Sequence, residues 1–234
     1  MRVEAASLPE SLNVKGGFIV HLGCGDGERT LTLRPKDSYQ VHGLDTDSKN
    51  VALARAQVKA AGVYGPVSID RLAGNKLPYV DGMVNLVVAE KLGEIPMTEI
   101  MRVLAPKGVA HVNHGGEWKT TVKPRPKDID DWTHFLHGPG GNAVAHDKKV
   151  GPPRHLQWLG SPRWSRHPDR MASMSALVSS NGRVFYVMDE GSRVSIQLPA
   201  RWTVVARDAF NGVVLWKKPM KNLPVLTVAN YRNL

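Results

Sequence analysis

The stretch FIVHLGCGDGERT, residues 18–30, decides the fold of the first half of this chain. Its continuous apolar run, residues 18–22, is typical of a strand that is buried on both faces of a parallel sheet. Four similar runs follow, with helical patterns between them, at residues 39–44, 67–69, 83–89 and 109–112. This alternation predicts a doubly wound, Rossmann-like α/β fold with a mostly parallel sheet.

Two helices are predicted between these strands. Asp47 is placed to cap the first one, which carries Val51, Ala54, Val58 and Ala61 on one face and stops at Gly62. The second helix is expected over residues 97–104, with residues 105–108, APKG, ending it.

The turn after the first strand predicts a cofactor site. Glycines at Gly23, Gly25 and Gly27 let the backbone approach a ligand and expose its N–H groups. Asp45 ends the second strand, where a carboxylate can accept hydrogen bonds from both ribose hydroxyls of an adenosine cofactor. Asp26 would put an anion where a dinucleotide carries its pyrophosphate, which favours a cofactor with a sulfonium or ammonium group instead.

Four motifs in this half resemble those of class I S-adenosylmethionine-dependent methyltransferases. They cover roughly residues 16–113 and read VHLGCGDG (20–27), GLD (43–45), LPYVDGMVNLVVAE (77–90) and EIMRVLAPKGVAHV (99–112). The resemblance implies S-adenosylmethionine as the cofactor, with the glycine loop beside its methionine part and Asp45, assisted by Thr46, on its ribose. The cofactor-binding residues predicted in this way are Gly23, Cys24, Gly25, Asp26, Gly27, Asp45, Thr46 and Asp70.

The chain departs from that family at two positions. Asp70 is the nearest acid for the adenine amino group, because Ala73 stands closer to the usual acceptor position and has no acceptor atom in its side chain. Asn85 stands where the fourth strand of the family usually begins with Asp. Recognition of the adenine is therefore the least defined part of the predicted site.

No catalytic residue is required by the pattern, since methyl transfer from a sulfonium depends largely on positioning. Glu90, at the end of the fourth strand, is the one candidate to face the methyl group or a substrate proton. The Asn-Pro-Pro-aromatic motif used on nucleobase amines is absent from the sequence. We expect methyl transfer to an unidentified acceptor, and the alternative is a non-catalytic scaffold.

Charge and composition change near residue 117. Residues 1–117 hold 13 basic and 13 acidic residues, whereas the remainder holds 18 and 8 and carries all six tryptophans. Such a shift suggests two units of different origin, with their boundary near residues 115–118. The basic half admits nucleic-acid binding as a further alternative. We do not favour it, because only one local cluster of arginines and tryptophans exists: Arg154, Arg163, Arg166 and Arg170 with Trp158 and Trp164.

The second half contains short strand patterns. Residues 175–179 and 184–188 flank Asn181-Gly182 and predict a hairpin. Residues 204–216, VVARDAFNGVVLW, resemble the repeat of PQQ-like β-propellers, which implies that Asp208 and Asn211 tie a turn, Gly212 supplies positive φ and Trp216 packs between blades.

The repeat occurs once, whereas a propeller needs roughly 4 to 8 four-stranded blades. With DIDDWTHFLHGPGGNAVAHD (128–147), GPPRHLQW (151–158) and GRVFYVMDEG (182–191), the chain resembles a truncated member of a bacterial family that fuses a methyltransferase-like domain to such a propeller. The predicted organisation is a methyltransferase-like domain (1–117), a linker (118–174) and a partial blade (175–234). An open sheet edge could mediate association, and bound PQQ is not expected, because one blade has no propeller axis.

Two remaining features are expected to have structural roles. His134, His137 and His146, with Asp130, Asp131 and Asp147, could offer metal ligands, but we expect hydrogen-bonded loop packing and no metal. The single cysteine, Cys24, is expected to be a small buried loop residue.

The sequence also bears on location. It has no apolar run approaching ~20 residues and no hydrophobic region behind Arg2 that would suit a signal peptide. We therefore expect no membrane span and a cytoplasmic location for the chain as written, with export left open for full-length relatives.

Overall fold

The computed structural model describes residues 7–149, 156–161, 174–195 and 197–220, which form two β-sheets with short helices. The first sheet has six strands in the order β3-β2-β1-β4-β5-β6, all parallel except β6. These strands are β1 (Gly17–Leu22), β2 (Tyr39–Asp45), β3 (Val67–Arg71), β4 (Val84–Ala89), β5 (Leu104–His114) and β6 (Glu117–Val122). The helices are α1 (Leu8–Ser11), α2 (Glu28–Thr32), α3 (Ser48–Ala60) and α4 (Met97–Val103).

The five predicted parallel strands and the Rossmann-like sheet are confirmed. Asp47 caps α3 through a hydrogen bond from the Lys49 N–H to its side chain, and Gly62 follows the helix with φ +69°. One boundary was wrong: β5 begins at Leu104, so the APKG segment lies inside the strand and does not precede it. The register between β4 and β5 shifts here and Lys107 takes φ +67°, which allows the irregular segment to stay paired.

Strand β6 was not predicted, because the stretch from residue 118 onward was interpreted as linker. It pairs antiparallel with β5 across Gly115-Gly116, whose φ values of +62° and +100° make a tight turn. The first sheet therefore extends to Val122, five residues past the predicted end of the first domain. The division of the chain into independent domains stays a prediction.

The sheet has an apolar core on each face. Helix α3 packs Val51, Ala54 and Val58 on one face, against Ile19 and its neighbours. Helix α4 packs Ile100 and Val103 on the other face. Polar and glycine residues follow β1, β2 and β4 at the carboxyl edge of the sheet.

The second sheet is a four-stranded antiparallel meander, β7 (Met174–Ser180), β8 (Arg183–Asp189), β9 (Trp202–Asp208) and β10 (Val214–Pro219). The predicted hairpin is present, with Asn181 and Gly182 at φ +53° and +76°. In the β9–β10 turn, Phe210 and Asn211 donate their N–H groups to Asp208, and Gly212 has φ +73°. A second, antiparallel sheet is thus confirmed, whereas a propeller is not shown.

The two sheets meet at the amino ends of β1 and β4. Asn85 donates its amide to the Asp208 carboxylate (2.8 Å), and Asn211 donates to the Asn85 Oδ1 (2.6 Å) and to the Met83 carbonyl (2.9 Å). The β9–β10 turn therefore docks beneath the parallel sheet, at the end opposite the glycine loop.

Several predictions fall on residues outside the described ranges: Arg154, Arg163, Arg166 and Arg170 with Trp164, and the chain from residue 221 onward. Trp216, predicted to pack between blades, lies beside the Phe185 ring, with ring centroids 6.0 Å apart, and is 45% exposed. Among the described residues, no helix has the length and apolar character that crossing a membrane requires.

Candidate functional site

The glycine loop between β1 and α2 is held against the end of β2. Gly23 and Cys24 donate their N–H groups to the Leu44 carbonyl at 2.8 and 3.2 Å, and the Gly25 N–H donates to the Asp45 Oδ2 at 2.9 Å. The three glycines all have positive φ, as the prediction required: +71° at Gly23, +56° at Gly25 and +89° at Gly27. The sequence thus places loop and acid together at the carboxyl edge of the sheet.

Asp45 is the centre of this arrangement. Its side chain is buried, and its two oxygens accept from the Gly25 N–H, the Asp47 N–H (2.9 Å) and the Asn50 amide (3.3 Å). An ionised carboxylate offers about four acceptor positions, so these three bonds leave capacity for a ligand hydroxyl. Asp45 can therefore organise the loop and bind a ribose at once.

The space around the loop is open at one glycine only. A Cβ at Gly25 would meet no atom within 4 Å, whereas one at Gly27 would lie 2.8 Å from the Ala54 Cβ. Gly27 thus permits α2 and α3 to pack closely, while Gly25 leaves room for a ligand. Asp26, between them, is exposed and caps Glu28 by accepting its N–H at 3.1 Å. A carboxylate so placed suits a cationic group.

Cys24 is buried, as expected, and burial raises the pKa of its thiol to about 12. A thiol with that pKa stays protonated near neutral pH, so it offers no thiolate nucleophile. Its predicted contact with a cofactor can come only through its backbone.

The predicted adenine side of the site is more crowded. Thr46 is exposed beside Asp45, and its carbonyl accepts from Arg71 at 3.3 Å. The Asp70 carboxylate already pairs with Arg55 at 2.6 Å and with His42 at 3.1 Å. Ala73 is exposed. Whether Asp70 also receives an adenine amino group stays a prediction, and Arg55 competes with that role.

Glu90 follows β4 at the same edge of the sheet. Its Oε1 lies 2.7 Å from the Arg29 guanidinium and 3.6 Å from the His21 Nε2. The ion pair with Arg29 holds the Glu90 carboxylate in place, so Glu90 is suited to orient a neighbouring group.

His21 belongs to this cluster although it was not predicted. Its Nδ1 bonds to the Thr30 hydroxyl at 2.8 Å, and its Nε2 is a buried atom that has no hydrogen-bond partner among the described residues. Burial lowers the pKa of His21 to about 4, so the ring is neutral near pH 7. The signal in the sequence was a polar residue inside an apolar strand.

Two aromatic rings extend the cluster toward β6. The Trp118 indole stacks on the His111 ring with centroids 4.5 Å apart, and the Arg29 guanidinium lies 4.7 Å from the centre of that indole. Both rings are partly exposed. Sequence analysis missed them because only the unpredicted pairing of β6 with β5 brings Trp118 to this edge.

The site lies apart from the cleft between the two sheets. That cleft has a volume of about 410 Å³ and is lined by Tyr39, Pro66, Arg207 and Asn211 among others. Tyr39 and Pro66 lie at the amino ends of β2 and β3, so the cleft is remote from the glycine loop. Ligands of open α/β sheets bind at the carboxyl ends of the strands, which favours the loop as the functional site.

The sheet order places the glycine loop and Asp45 together at the carboxyl edge of a Rossmann-like sheet. A family model described as a methyltransferase domain matches residues 19–108. This match supports the methyltransferase half of the resemblance; the propeller half is not confirmed.

Curated relatives are similar over part of their length. An uncharacterized protein of Haemophilus influenzae is 27% identical over 111 residues, which cover 42% of this chain and 44% of that protein. The demethylmenaquinone methyltransferase of Lactobacillus johnsonii is 26% identical over 153 residues, covering 55% of this chain and 63% of that enzyme. The chain thus spans 44% and 63% of the lengths of these two curated relatives.

Among solved structures, a protein of Methanococcus maripaludis provisionally assigned as an S-adenosyl-L-methionine-dependent methyltransferase is 18% identical, with a TM-score of 0.42. The similar region covers 47% of this chain and 53% of that one.

Proposed function

We propose that the first half of the chain binds S-adenosylmethionine and transfers its methyl group to an acceptor of unidentified structure. The observation that carries this proposal is the buried Asp45 carboxylate beside an open glycine loop, inside the region that matches a methyltransferase domain. Asp45 would accept a ribose hydroxyl, and the space over Gly25 would admit the methionine part.

The charge of the loop supports a sulfonium cofactor over a dinucleotide. Asp26 is an exposed carboxylate in the middle of the loop, and an anion there would repel a pyrophosphate and attract a positive sulfur. When bound, S-adenosylmethionine supplies an electrophilic methyl group, so the protein has to position the acceptor in line with it.

The surface beyond Glu90 is where an acceptor would approach. Arg29, Glu90 and the partly exposed rings of His111 and Trp118 border it. His21 is 1% exposed, so it cannot touch an acceptor. Glu90, held by Arg29, is suited to orient a polar hydrogen of the acceptor.

Calorimetry on the full chain with S-adenosylhomocysteine tests the cofactor part. We expect saturable binding that Asp45→Ala strongly weakens. Because Asp45 also holds the loop, a second comparison separates its roles: a ligand analogue without the ribose 2′ and 3′ hydroxyls should bind the native chain at least ~10-fold more weakly. In the Asp45→Ala chain, any residual binding should be indifferent to those hydroxyls.

The outcomes distinguish the two functions. If neither ligand binds, the proposal fails. If the cofactor binds but no S-adenosylhomocysteine is released with a broad panel of acceptors, the non-catalytic scaffold becomes the better description.

A further inference from the structure

Three potential metal ligands converge in the connector, by which we mean residues 123–149, which follow β6. The Asp130 Oδ2 lies 2.6 Å from the His137 Nε2 and 3.8 Å from the His146 Nδ1. One ligand atom of each residue lies within 4.8 Å of the other two. Their side chains are 25%, 12% and 76% exposed, respectively, so the trio has an enclosed side and a side open to water.

Backbone hydrogen bonds within the connector bring these side chains together. The Asp130 N–H donates to Asp147 at 2.7 Å, and the His146 N–H donates to Asp130 at 2.8 Å, which joins two segments 16 residues apart. His137 sits on a turn with φ +69°, and its ring packs against the Trp132 ring edge. The expected hydrogen-bonded loop packing is thus confirmed, and it leaves two imidazoles facing one carboxylate.

We propose that Asp130, His137 and His146 bind a divalent transition-metal ion of the zinc class. Two imidazole nitrogens and one carboxylate oxygen suit Zn²⁺, Co²⁺ or Ni²⁺, whereas Mg²⁺ and Ca²⁺ prefer sets of oxygen ligands. An ion about 2.1 Å from each donor places tetrahedral donors about 3.4 Å apart. The Asp130 Oδ2 and His146 Nδ1 atoms, 3.8 Å apart, already fit this spacing. The Asp130 Oδ2 and His137 Nε2 atoms, 2.6 Å apart, would separate slightly as the ion replaces the proton between them.

The neighbouring charges favour such an ion. The ion pairs of Asp130 involve the two histidines, whereas Asp131 is paired with Arg125 at 2.9 Å and Asp128 lies 3.9 Å from Lys149. With neutral imidazoles the trio carries one negative charge, and a divalent ion would be bound on its water-accessible side next to His146.

The ion would brace the connector where it meets the second sheet. Trp132 donates its N–H to the Ser179 hydroxyl at 3.0 Å and accepts the Ser179 N–H at 2.7 Å. Asn181, in the β7–β8 turn, donates its N–H to Asp131 at 3.0 Å. Metal binding would therefore lower the mobility of the connector and of the hairpin that it contacts.

Cobalt titration of the full chain, first stripped with a chelator, tests the proposal. We expect one Co²⁺ per chain with a visible d–d absorption band, displaced by Zn²⁺. His146→Ala changes an exposed side chain, so the fold should persist while affinity falls at least ~10-fold. His137→Ala should do the same. The matched control is His134→Ala in the same loop, whose ring bonds to Thr133 and lies outside the trio.

The assignment is overturned if no stoichiometric ion binds, if His146→Ala and His137→Ala bind cobalt as the native chain does, or if His134→Ala weakens binding equally. S-adenosylhomocysteine calorimetry on the same variants should be unchanged, so failure here is separate from failure of the proposed function.

Discussion

Gly25 and Gly27 show how one loop combines a folding constraint with a binding constraint. Both have positive φ, which costs an ordinary L-residue about 1–2 kcal/mol. Only Gly27 also faces a neighbouring helix, since its added Cβ would lie 2.9 Å from the Ala54 Cα. The same mutation at the two positions should therefore have different consequences.

We expect Gly27→Ala to destabilise the chain by about 2–4 kcal/mol, because the new methyl group forces α2 away from α3. Gly25→Ala should cost only about 1 kcal/mol, yet reduce S-adenosylhomocysteine affinity at least ~10-fold by filling the approach to the loop. Urea denaturation and calorimetry measure the two effects. Equal loss of stability in both variants, or normal binding by Gly25→Ala, would contradict this division of roles.

The residues of the loop could be predicted, while their partners could not. Gly23, Gly25, Gly27 and Asp45 follow from one local pattern, because a strand, a turn and a second strand place them at one edge. The contact of Glu90 with Arg29 and His21 depends on the lateral register of β1 and β4 and on the position of α2. No spacing within the sequence encodes that register.

Helix α4 carries Arg102 in its last turn. Its guanidinium bonds to Glu99 at 2.7 and 2.8 Å, to Asp81 at 2.6 Å and to the Tyr79 carbonyl at 2.9 Å. Glu99 in turn accepts the Leu77 N–H at 2.7 Å. These bonds anchor the loop before β4 to the helix, and the bonds from Arg102 lower the pKa of Glu99 to about 2.

The sign of the pH dependence follows from that lowered pKa. Glu99 stabilises the fold as an anion, so its contribution is complete above its ordinary pKa of 4.5 and is lost as the pH falls toward about 2. Glu99→Gln should therefore lower the free energy of unfolding by about 1–3 kcal/mol at pH 7, with a difference from the native chain that shrinks below pH 4.5.

Denaturation at a series of pH values measures this dependence. Glu94→Gln, at an exposed position just before α4, is the control and should have little effect at any pH. A Glu99→Gln penalty that stays constant from pH 7 to pH 3 would show that the charge of Glu99 is not what stabilises the helix.

Strand β6 marks the limit of prediction at this scale. Gly115-Gly116 is a good two-residue turn, and EWKTTV alternates enough to pair, so the hairpin was detectable in the sequence. The charge shift near residue 117 suggested a domain boundary there instead. The charge composition of a chain follows what its surface contacts, and those contacts need not change where a sheet ends.

At the scale of the whole molecule, Asn85 explains how two dissimilar sheets are joined. Its Oδ1 accepts from the Phe18 N–H at 2.7 Å and from Asn211, while its amide donates to Asp208. The Asp that the resembled family usually has at this position could accept but not donate. The departure from the family pattern is therefore the contact that fits the β9–β10 turn.

Asp208 makes this junction sensitive to charge. Burial raises the pKa of its carboxyl, although the Asn85 amide and the N–H groups of Phe210 and Asn211 oppose the shift. A carboxyl whose pKa is raised by folding stabilises the folded state most below its ordinary pKa, and this contribution disappears as the pH rises through the raised value. Further negative charge at residue 85 should amplify that trend.

We predict that Asn85→Asp opposes two carboxylates across the junction and lowers the stability of the chain by about 2–4 kcal/mol at pH 7, because Asp208 loses its donor and remains buried. Asp208→Asn alone should also weaken docking, since an amide has one acceptor oxygen in place of the two with which Asp208 accepts from Asn85 and from the turn N–H groups. The double variant restores a donor and an acceptor in reversed order, and should recover at least half of the loss.

Hydrogen exchange of β7–β10 together with urea denaturation measures docking and stability. The loss in Asn85→Asp should diminish near pH 4, where the two carboxyls can share a proton. A double variant that is no more stable than Asn85→Asp, or a single variant that exchanges like the native chain, would show that this polar network does not hold the second sheet against the first.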